Sequence, residues 1–287
     1  MVNSSTVQVS LIVPCKNEEG NIKRCLNSVP WVDEAFVVDS QSTDRTVEIA
    51  ENLGAKVVQF HYKGGWPKKK NWAIENLPFE NKWVLILDAD ECLPPEAEEE
   101  IREIVQNPQV TNAGYWINRR YFFMGRPLRH AYFPNWNLRL FKHRLGKYEK
   151  ITEAETGSGD HEIHEHIVVK GTTGRLRTIM DHHAFPTIES FVEKHNRYSN
   201  WEAVVESTCK DDPHSLQNDQ VKVKRRLRRI FRMLPFRPTL RFLYVYIWQK
   251  GFLDGWPGYV FARLHGQYEF LSVVKAKEYS KRKRESR

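Results

Sequence analysis

The first hundred residues alternate between short apolar, β-branched runs and segments with helical periodicity, and this alternation constrains the fold more than any other feature. Strand-like runs are predicted at residues 7–14, 34–39, 56–60 and 82–87, with helix-forming segments between them. Strands that alternate with helices indicate right-handed βαβ units and a parallel sheet. Ligands of such sheets bind beyond the carboxyl ends of the strands, so the polar residues that follow each strand are candidates for a binding site.

Composition narrows the class of protein. The chain has 287 residues, of which 40% are hydrophobic and 28% charged, and this balance is typical of a globular protein rather than a disordered or fibrous one. Its four cysteines form no C-x-x-C pair, which favours a reducing compartment over a disulfide framework or a thiolate zinc site. The N-terminus lacks the pattern of a signal peptide, and no stretch approaches the roughly 18 apolar residues of a membrane span. A cytoplasmic protein is predicted.

The charge is distributed unevenly along the chain. Residues 222–287 contain 18 basic and 4 acidic residues, a net charge of +14, whereas the other 26 basic and 32 acidic residues give residues 1–221 a net charge of −6. A mildly acidic body with a strongly basic C-terminal quarter predicts a polyanionic partner, either nucleic acid or an anionic membrane. No nucleic-acid-binding motif accompanies the charge, so nucleic acid is not expected.

The basic quarter begins with an amphipathic pattern. Apolar residues recur at helical spacing from Val223 to Leu234, and seven lysines and arginines lie within residues 222–232, as in a helix that lies in a membrane interface. The following residues, up to Trp248, are rich in interfacial aromatic side chains. We therefore expect residues 206–287 to form a basic helical extension that contacts an anionic membrane through residues 222–248. A charged helix packed on the domain is the alternative.

A pair of aspartates marks the end of the fourth predicted strand. Residues 88–91 read Asp-Ala-Asp-Glu, and two carboxylates at this spacing can supply oxygen ligands to Mg²⁺ or Mn²⁺. An isolated pair of this kind is more often two solvated acids. Here Asp39 and Glu18 follow neighbouring strands, so acidic groups should converge at one edge of the sheet, and such a cluster of like charges favours a bound cation.

Four segments in this order resemble the family 2 glycosyltransferases with a GT-A fold. They are residues 14–19, 38–46, 69–73 and 88–91. Further segments resemble a narrower group, the lipopolysaccharide-core β-1,4-glucosyltransferase type: residues 136–141, 163–166, 180–182 and 195–198. The resemblance covers about residues 7–205. It implies a Rossmann-like α/β fold with a mostly parallel sheet flanked by helices. The GT-A domain would span residues 1–205 and consist of a nucleotide-sugar half (1–110) and an acceptor half (111–205). The helical basic extension would follow it.

The resemblance also implies roles for individual residues. Asp39 and Glu18 would hold the uridine, Lys70 would lie near the nucleotide, and Asp88 would bind the ribose. The full nucleotide-sugar set is Pro14, Asn17, Glu18, Asp39, Lys70, Asp88 and Ala89. The metal set is Asp90, Asp88 and His182, holding Mg²⁺ or Mn²⁺. For His182 considered alone, a buried core histidine is the more common situation.

Inverting sugar transfer needs a base that deprotonates the acceptor hydroxyl, and a carboxylate within about 3 Å suits this role. The candidates are Glu165, Glu162 and Asp160, and the resemblance places the catalytic role on Glu165. The three histidines at residues 161–166 are possible zinc ligands, but their spacing differs from H-E-x-x-H on a helix, so zinc is not expected.

These observations predict a metal-dependent, inverting glycosyltransferase that moves one sugar, glucose by resemblance, from a UDP-sugar to a lipid-linked or envelope glycan acceptor such as lipopolysaccharide. The Q-x-x-R-W motif of processive synthases is absent, and the expected location is the inner face of the cell membrane. Arg126, Arg129, Trp136 and Arg139 are candidates for the acceptor cleft. Two alternatives stay open: a nucleotidyltransferase, whose Gly-rich phosphate loop is missing, and a non-catalytic membrane- or nucleic-acid-binding protein.

Overall fold

The computed structural model describes residues 6–150, 166–208, 234 and 236–285. The predicted base Glu165, its alternatives Glu162 and Asp160, and the basic segment 222–233 therefore lie outside the described residues.

The strands and helices follow the predicted alternation through the first hundred residues. The strands are β1 (Val7–Cys15), β2 (Val32–Asp39), β3 (Lys56–Gln59), β4 (Trp83–Ile86), β5 (Glu91–Cys92), β6 (Gly114–Phe123), β7 (Arg126–Pro127), β8 (Trp136–Lys142), β9 (Gly146–Tyr148), β10 (Ile167–Val169) and β11 (Thr173–Phe185). The α-helices are α1 (Ile22–Asn27), α2 (Thr46–Asn52), α3 (Lys69–Asn76), α4 (Glu96–Gln106), α5 (Ile188–Thr208), α6 (Arg237–Leu243) and α7 (Gly255–Glu285).

The N-terminal half contains the predicted parallel sheet. β3, β2, β1 and β4 lie side by side in this order, and each neighbouring pair is parallel. Side chains alternate across a strand, so Val9, Leu11 and Val13 of β1 face one core with α1, α2 and α4, while Ile12 faces a second core with α3. Both faces of β1 are buried, which explains its nearly continuous apolar sequence.

The sheet continues as a mixed sheet in the second half of the domain. β8 pairs antiparallel with β4 and with β6, β11 pairs parallel with β6, and β5 pairs antiparallel with β11 at the far edge. The parallel arrangement therefore holds for β1 to β4, whereas the later strands add antiparallel pairs. In the β11–β5 register, His182 lies opposite Glu91 and Asp181 opposite Cys92, so β11 brings residues from far along the chain beside the Asp-Ala-Asp segment.

The C-terminal helices pack against β6, β11 and α5 through a third core. Its buried members are Phe123, Leu128, Ala131, Ala184, Phe185, Phe191, Val245, Phe261 and Ala262. Asp254 strengthens this contact, because its carboxylate accepts the backbone N–H groups of Arg129, His130 and Ala131 at 2.9, 3.0 and 2.8 Å. In the part of the chain that the structure describes, no helix combines the length and apolar character that crossing a membrane requires.

Candidate active site

The loops after β1 and β2 are joined by hydrogen bonds at the carboxyl edge of the sheet. Asn17 has a positive φ of 55°, a conformation that asparagine tolerates better than most residues. Its backbone N–H donates to Ser42 Oγ at 2.8 Å, and its Oδ1 accepts the N–H of Thr43 at 2.9 Å. Ser42 in turn donates its N–H (2.8 Å) and its hydroxyl to the Asp39 carboxylate. Asn17 therefore connects the two loops.

Asp39 is fully buried at the end of β2. Besides Ser42, its carboxylate accepts a hydrogen bond from Gln59 Nε2 at 3.0 Å, so its orientation is set by the loop after β2 and by the neighbouring strand β3. Pro14 lies beside it in β1, paired with Val38 of β2, and the missing N–H of this proline removes a ladder donor where the strand approaches the edge.

Glu18 lies in the loop after β1 and faces the aspartate pair. Its backbone N–H donates to Thr46 Oγ1 at 2.7 Å, and its carboxylate accepts Asn21 Nδ2 at 2.8 Å. Burial, followed by the charge of Asp90, raises the pKa of Glu18 above its ordinary value. The influence of Asp90 shows that the acidic side chains after β1 and β4 lie close enough to interact.

Asp88 is held between two cations. Lys70 Nζ contacts its Oδ1 at 2.7 Å and Arg139 Nη2 contacts its Oδ2 at 2.6 Å. Burial raises the pKa of Asp88, but Arg139 and Lys70 outweigh this effect and hold the pKa well below its usual range. Lys70 also lies over the ring of Tyr148, 5.4 Å from its centroid. The intervening Ala89 is buried.

Asp90 is bound by residues from the far side of the chain. Its Oδ1 lies 3.1 Å from His182 Nε2 and its Oδ2 lies 3.4 Å from Lys194 Nζ, while its backbone carbonyl accepts the N–H of His183 at 2.7 Å. Burial raises the pKa of Asp90, and the charges of His182 and then Lys194 lower it by more, to well below 3.8. The His182 ring packs beside Tyr121, with centroids 4.8 Å apart.

The donor set fits a divalent cation only in part. Among the described residues, no group of three histidine, cysteine, aspartate or glutamate side chains lies close enough to hold a metal ion. Asp90 and His182 do meet, and Mg²⁺ commonly uses one or two carboxylates together with substrate phosphates. His182 Nδ1 is buried without a hydrogen-bond partner within the described part of the chain. These residues suit a cation whose remaining ligands come from a bound diphosphate.

Comparison with known proteins identifies the family. The chain matches the family described as "Glycosyl transferase family 2" over residues 10–161, and an uncharacterized glycosyltransferase of Rickettsia typhi is 30% identical over 96% of this chain and 89% of that protein. The chain belongs to glycosyl transferase family 2. It is therefore an enzyme, a glycosyltransferase with the GT-A fold, and this membership favours sugar transfer over the nucleotidyltransferase and non-catalytic alternatives.

Two further proteins are less similar to this glycosyltransferase. The lipopolysaccharide core biosynthesis glycosyltransferase LpsC of Rhizobium meliloti is 27% identical over 93% of this chain and 91% of that protein. Among solved structures, a mannosyltransferase from Pyrobaculum calidifontis, described in complex with GDP-mannose and Mn²⁺, is 18% identical with a TM-score of 0.49, covering 94% of this chain and 87% of that one.

The structure corrects one expectation about the predicted acceptor cleft of the glycosyltransferase. Arg139 was a candidate for the acceptor cleft, yet it is buried and its Nη2 contacts both Asp88 and, at 2.5 Å, Glu91 Oε1. The reason is its position in β8, which lies directly beside β4 and therefore behind the aspartates. Arg126 and Arg129 are exposed and stay candidates.

Two other residues of the glycosyltransferase site were missed by the sequence analysis. Glu91 is fully buried, accepts the N–H of Asp88 at 3.0 Å and pairs with Arg119 at 3.1 Å. A third acid directly after the aspartate pair was the available signal. Lys194 lies on α5 next to a segment quoted for the family resemblance, but nothing in its local sequence indicates that it contacts Asp90.

Proposed function

We propose that this glycosyltransferase is inverting, metal-dependent and non-processive, and that it moves one glucose from a UDP-sugar to a lipid-linked or lipopolysaccharide-type glycan. The observation that carries the proposal is the meeting of the Asp90 carboxylate, the His182 imidazole and the ammonium groups of Lys70 and Lys194 at the carboxyl edge of the sheet. The edge therefore offers a carboxylate that can bind a metal cation and ammonium groups that can bind a diphosphate.

The donor residues divide between the nucleoside and the diphosphate. Asp39 and Glu18 are proposed to hold the uridine, since both carboxylates are held by loops after neighbouring strands. Asp88 is proposed to bind the ribose. Lys70 and Lys194 are each bonded to one aspartate of the pair, and positive groups fixed beside a departing diphosphate stabilise the charge that develops on it.

Mg²⁺ or Mn²⁺ is proposed to be held by Asp90 and His182, with Asp88 nearby. The bound cation would supply Lewis-acid stabilisation of the leaving diphosphate. Asp90 is well suited to this role because its lowered pKa keeps it ionised at neutral pH, and an ionised carboxylate is the form that binds a metal.

Glu165 is proposed as the base, with Glu162 and Asp160 as the alternatives. In the transfer, the acceptor oxygen forms a bond to the anomeric carbon, the bond from that carbon to the diphosphate breaks, and the acceptor proton passes to the carboxylate. One contact supports this assignment. The backbone carbonyl of His166, the residue after Glu165, accepts the N–H of Glu149 at 3.0 Å, and the His166 N–H donates to Glu149 Oε1 at 3.2 Å. Tyr148, which precedes Glu149, lies beneath Lys70 at the carboxyl edge of the sheet. We call this edge, with Asp39, Asp88 and Asp90, the donor edge.

The acceptor and the location are proposed from the name of a relative and from the basic extension. The name of the R. meliloti relative refers to lipopolysaccharide core biosynthesis, and lipopolysaccharide-type acceptors are membrane-linked. The basic extension, residues 206–287, is proposed to bring the enzyme to the inner face of the cell membrane through residues 222–248.

Calorimetric titration tests the donor site. We expect Mn²⁺ to bind tightly only when UDP is present, because the described residues offer only Asp90 and His182 together. Asp90→Asn should abolish the metal-dependent part of UDP binding. The matched control is Asp33→Asn, an exposed aspartate at the opposite end of β2. In wild-type protein, UDP at about 100 times its dissociation constant should add about 2.7 kcal/mol of stability. Unchanged UDP and Mn²⁺ binding in Asp90→Asn, or tighter binding of GDP than of UDP, would contradict the proposal.

A further inference from the structure

The turn between α6 and α7 presents an unusual concentration of exposed apolar side chains. Trp248 is 79% exposed and Trp256 is 65% exposed. We call the whole group the C-terminal apolar patch: Leu243, Tyr244, Ile247, Trp248, Phe252, Leu253 and Trp256. Seven large apolar side chains exposed within residues 243–256 exceed the scattered exposure that is normal for a protein surface, and such a surface marks an interaction site.

Ring contacts join the short helical segments that carry this patch. Tyr246 lies 6.2 Å from Phe252 and 5.7 Å from Tyr259, measured between ring centroids, and Trp256 stacks on Tyr259 at 5.4 Å. Beneath them, Val245 is fully buried in the third core. The exposed side chains of the patch therefore form one surface, with the third core packed beneath it.

The charges around the patch are basic. Asp254 is the one acid in residues 243–256, and its side chain is only 4% exposed because it binds the loop at 129–131. Lys250 is exposed within the patch, and Arg263 is exposed beside it, with its guanidinium 5.7 Å from the Phe242 ring centroid. An apolar surface with cations and no exposed carboxylate in its own sequence matches the headgroup region of an anionic bilayer.

Two features favour a bilayer over a second copy of the chain. Tryptophan and tyrosine are enriched at membrane–water interfaces, where an apolar ring with one polar atom fits both sides of the boundary. Two copies joined through this patch would bring their basic margins together, and juxtaposed like charges oppose association.

We propose that the C-terminal apolar patch inserts into the interface of an anionic phospholipid bilayer and fixes the height of the acceptor half above it. This inference rests on the proposed membrane association but assigns the apolar contact to residues 243–256. Asp254 makes the link, since the same turn that carries the patch is bonded through this carboxylate to Arg129, His130 and Ala131. The acceptor half is thus held at a set distance from a membrane-linked glycan.

Flotation of the full-length protein with vesicles of phosphatidylcholine and phosphatidylglycerol tests the inference. The double variant Trp248→Ser/Trp256→Ser should bind these vesicles about 10-fold or more weakly, because it removes two large apolar groups from the contact. The control is Phe270→Ser/Tyr279→Ser, which removes exposed aromatic side chains from the distal part of α7 and should leave binding unchanged. Brominated phospholipid should quench tryptophan fluorescence in the wild-type protein and much less in the double tryptophan variant. Hydrolysis of the UDP-sugar should stay equal in all three proteins.

Charge reversal at Arg225, Arg226, Arg228 and Arg229 separates this inference from the proposed membrane association. If that variant leaves the vesicles while the tryptophan variant stays bound, the membrane association holds and the patch is not the contact. A wild-type protein that ignores vesicles but forms a dimer, which the tryptophan substitutions dissociate, would overturn both and make the patch an interface between copies.

Discussion

Two regions of this glycosyltransferase hold ionisable side chains away from water, and they keep those side chains in opposite charge states. At the donor edge, the two aspartates of the Asp-Ala-Asp segment have basic partners: the half-buried Asp88 contacts Lys70 and Arg139, and the buried Asp90 contacts His182 and Lys194. In the third core, between β11, α5 and α7, His265 is buried with no hydrogen-bond partner for either ring nitrogen among the described residues.

The two regions differ in whether their ionisable side chains are charged or neutral. Partners keep the aspartates ionised despite desolvation, as their lowered pKa values show. In the third core, burial lowers the pKa of His195 from 6.5 to about 4 and that of His265 well below 6.5, so both imidazoles stay neutral. The aspartates of the donor edge are therefore ionised and available to a ligand, whereas the imidazoles of the third core are neutral and pack among aromatic rings.

Glu165→Gln should give the largest effect and extends the comparison beyond the described residues. The amide keeps the shape of the side chain but cannot accept the acceptor proton, so turnover should fall about 10²- to 10⁴-fold. UDP affinity should stay near the wild-type value, because the donor edge is unchanged. Rate measurements with Glu162→Gln and Asp160→Asn in parallel decide the assignment: full activity in Glu165→Gln with loss in either neighbour would move the role there.

Removal of Arg139 tests whether ion pairs hold the donor edge together. Arg139→Met removes the cation that contacts the half-buried Asp88 and the fully buried Glu91, and breaking the buried pair with Glu91 costs on the order of 3 kcal/mol of unfolding free energy. Urea denaturation measures this loss. The control is Arg126→Met, which alters an exposed arginine and should change stability by less than about 0.5 kcal/mol. Equal effects of the two substitutions would show that Arg139 is dispensable for the edge.

Lys194→Met addresses the same edge through its function. Burial alone would lower the pKa of Lys194, but Asp90 raises it above its ordinary value, so the ammonium is charged and available to a diphosphate. Its loss should weaken UDP binding in the presence of Mn²⁺ by about 10- to 100-fold, corresponding to the roughly 1.5–3 kcal/mol of a hydrogen bond to a charged group. Lys277→Met, on an exposed position of α7, is the control. Tighter UDP binding in Lys194→Met would mean that Lys194 competes with the ligand for Asp90.

The two regions also differ in how far sequence alone could predict them. The strands of the donor edge were predictable because each is a short local run, and its acids follow these strands directly. The prediction that Arg139 lines the acceptor cleft was wrong because the position of Arg139 depends on the pairing of β8 with β4. That pairing joins residues more than fifty positions apart. In the third core, the stacking of His265 on Tyr132 at 4.3 Å joins positions even farther apart. Local periodicity carries no information on such pairs, and an aromatic or histidine side chain reads the same whether it packs in a core or lines a cleft.

The smallest expected effect is on the pH dependence of the free energy of unfolding, and it tests the neutral histidines of the third core. The groups whose charges act on His265 are His195 and Arg241, and both lower its pKa further after burial has done so. Between the ordinary pKa of 6.5 and the lowered native values, about 4 for His195, the unfolded chain binds more protons than the native one. The free energy of unfolding should therefore fall as the pH decreases from about 6.5, by up to about 1.4 kcal/mol per pH unit for each histidine.

His265→Phe keeps a planar ring against Tyr132 and removes one of these titrating imidazoles, so it should make the slope shallower while changing stability little near pH 7. Urea denaturation at several pH values measures the slope, with the exposed His61→Gln as the control. A slope in His265→Phe equal to that of the wild type would show that His265 is protonated in the native protein, and the third core would then hold a buried charge as the donor edge does.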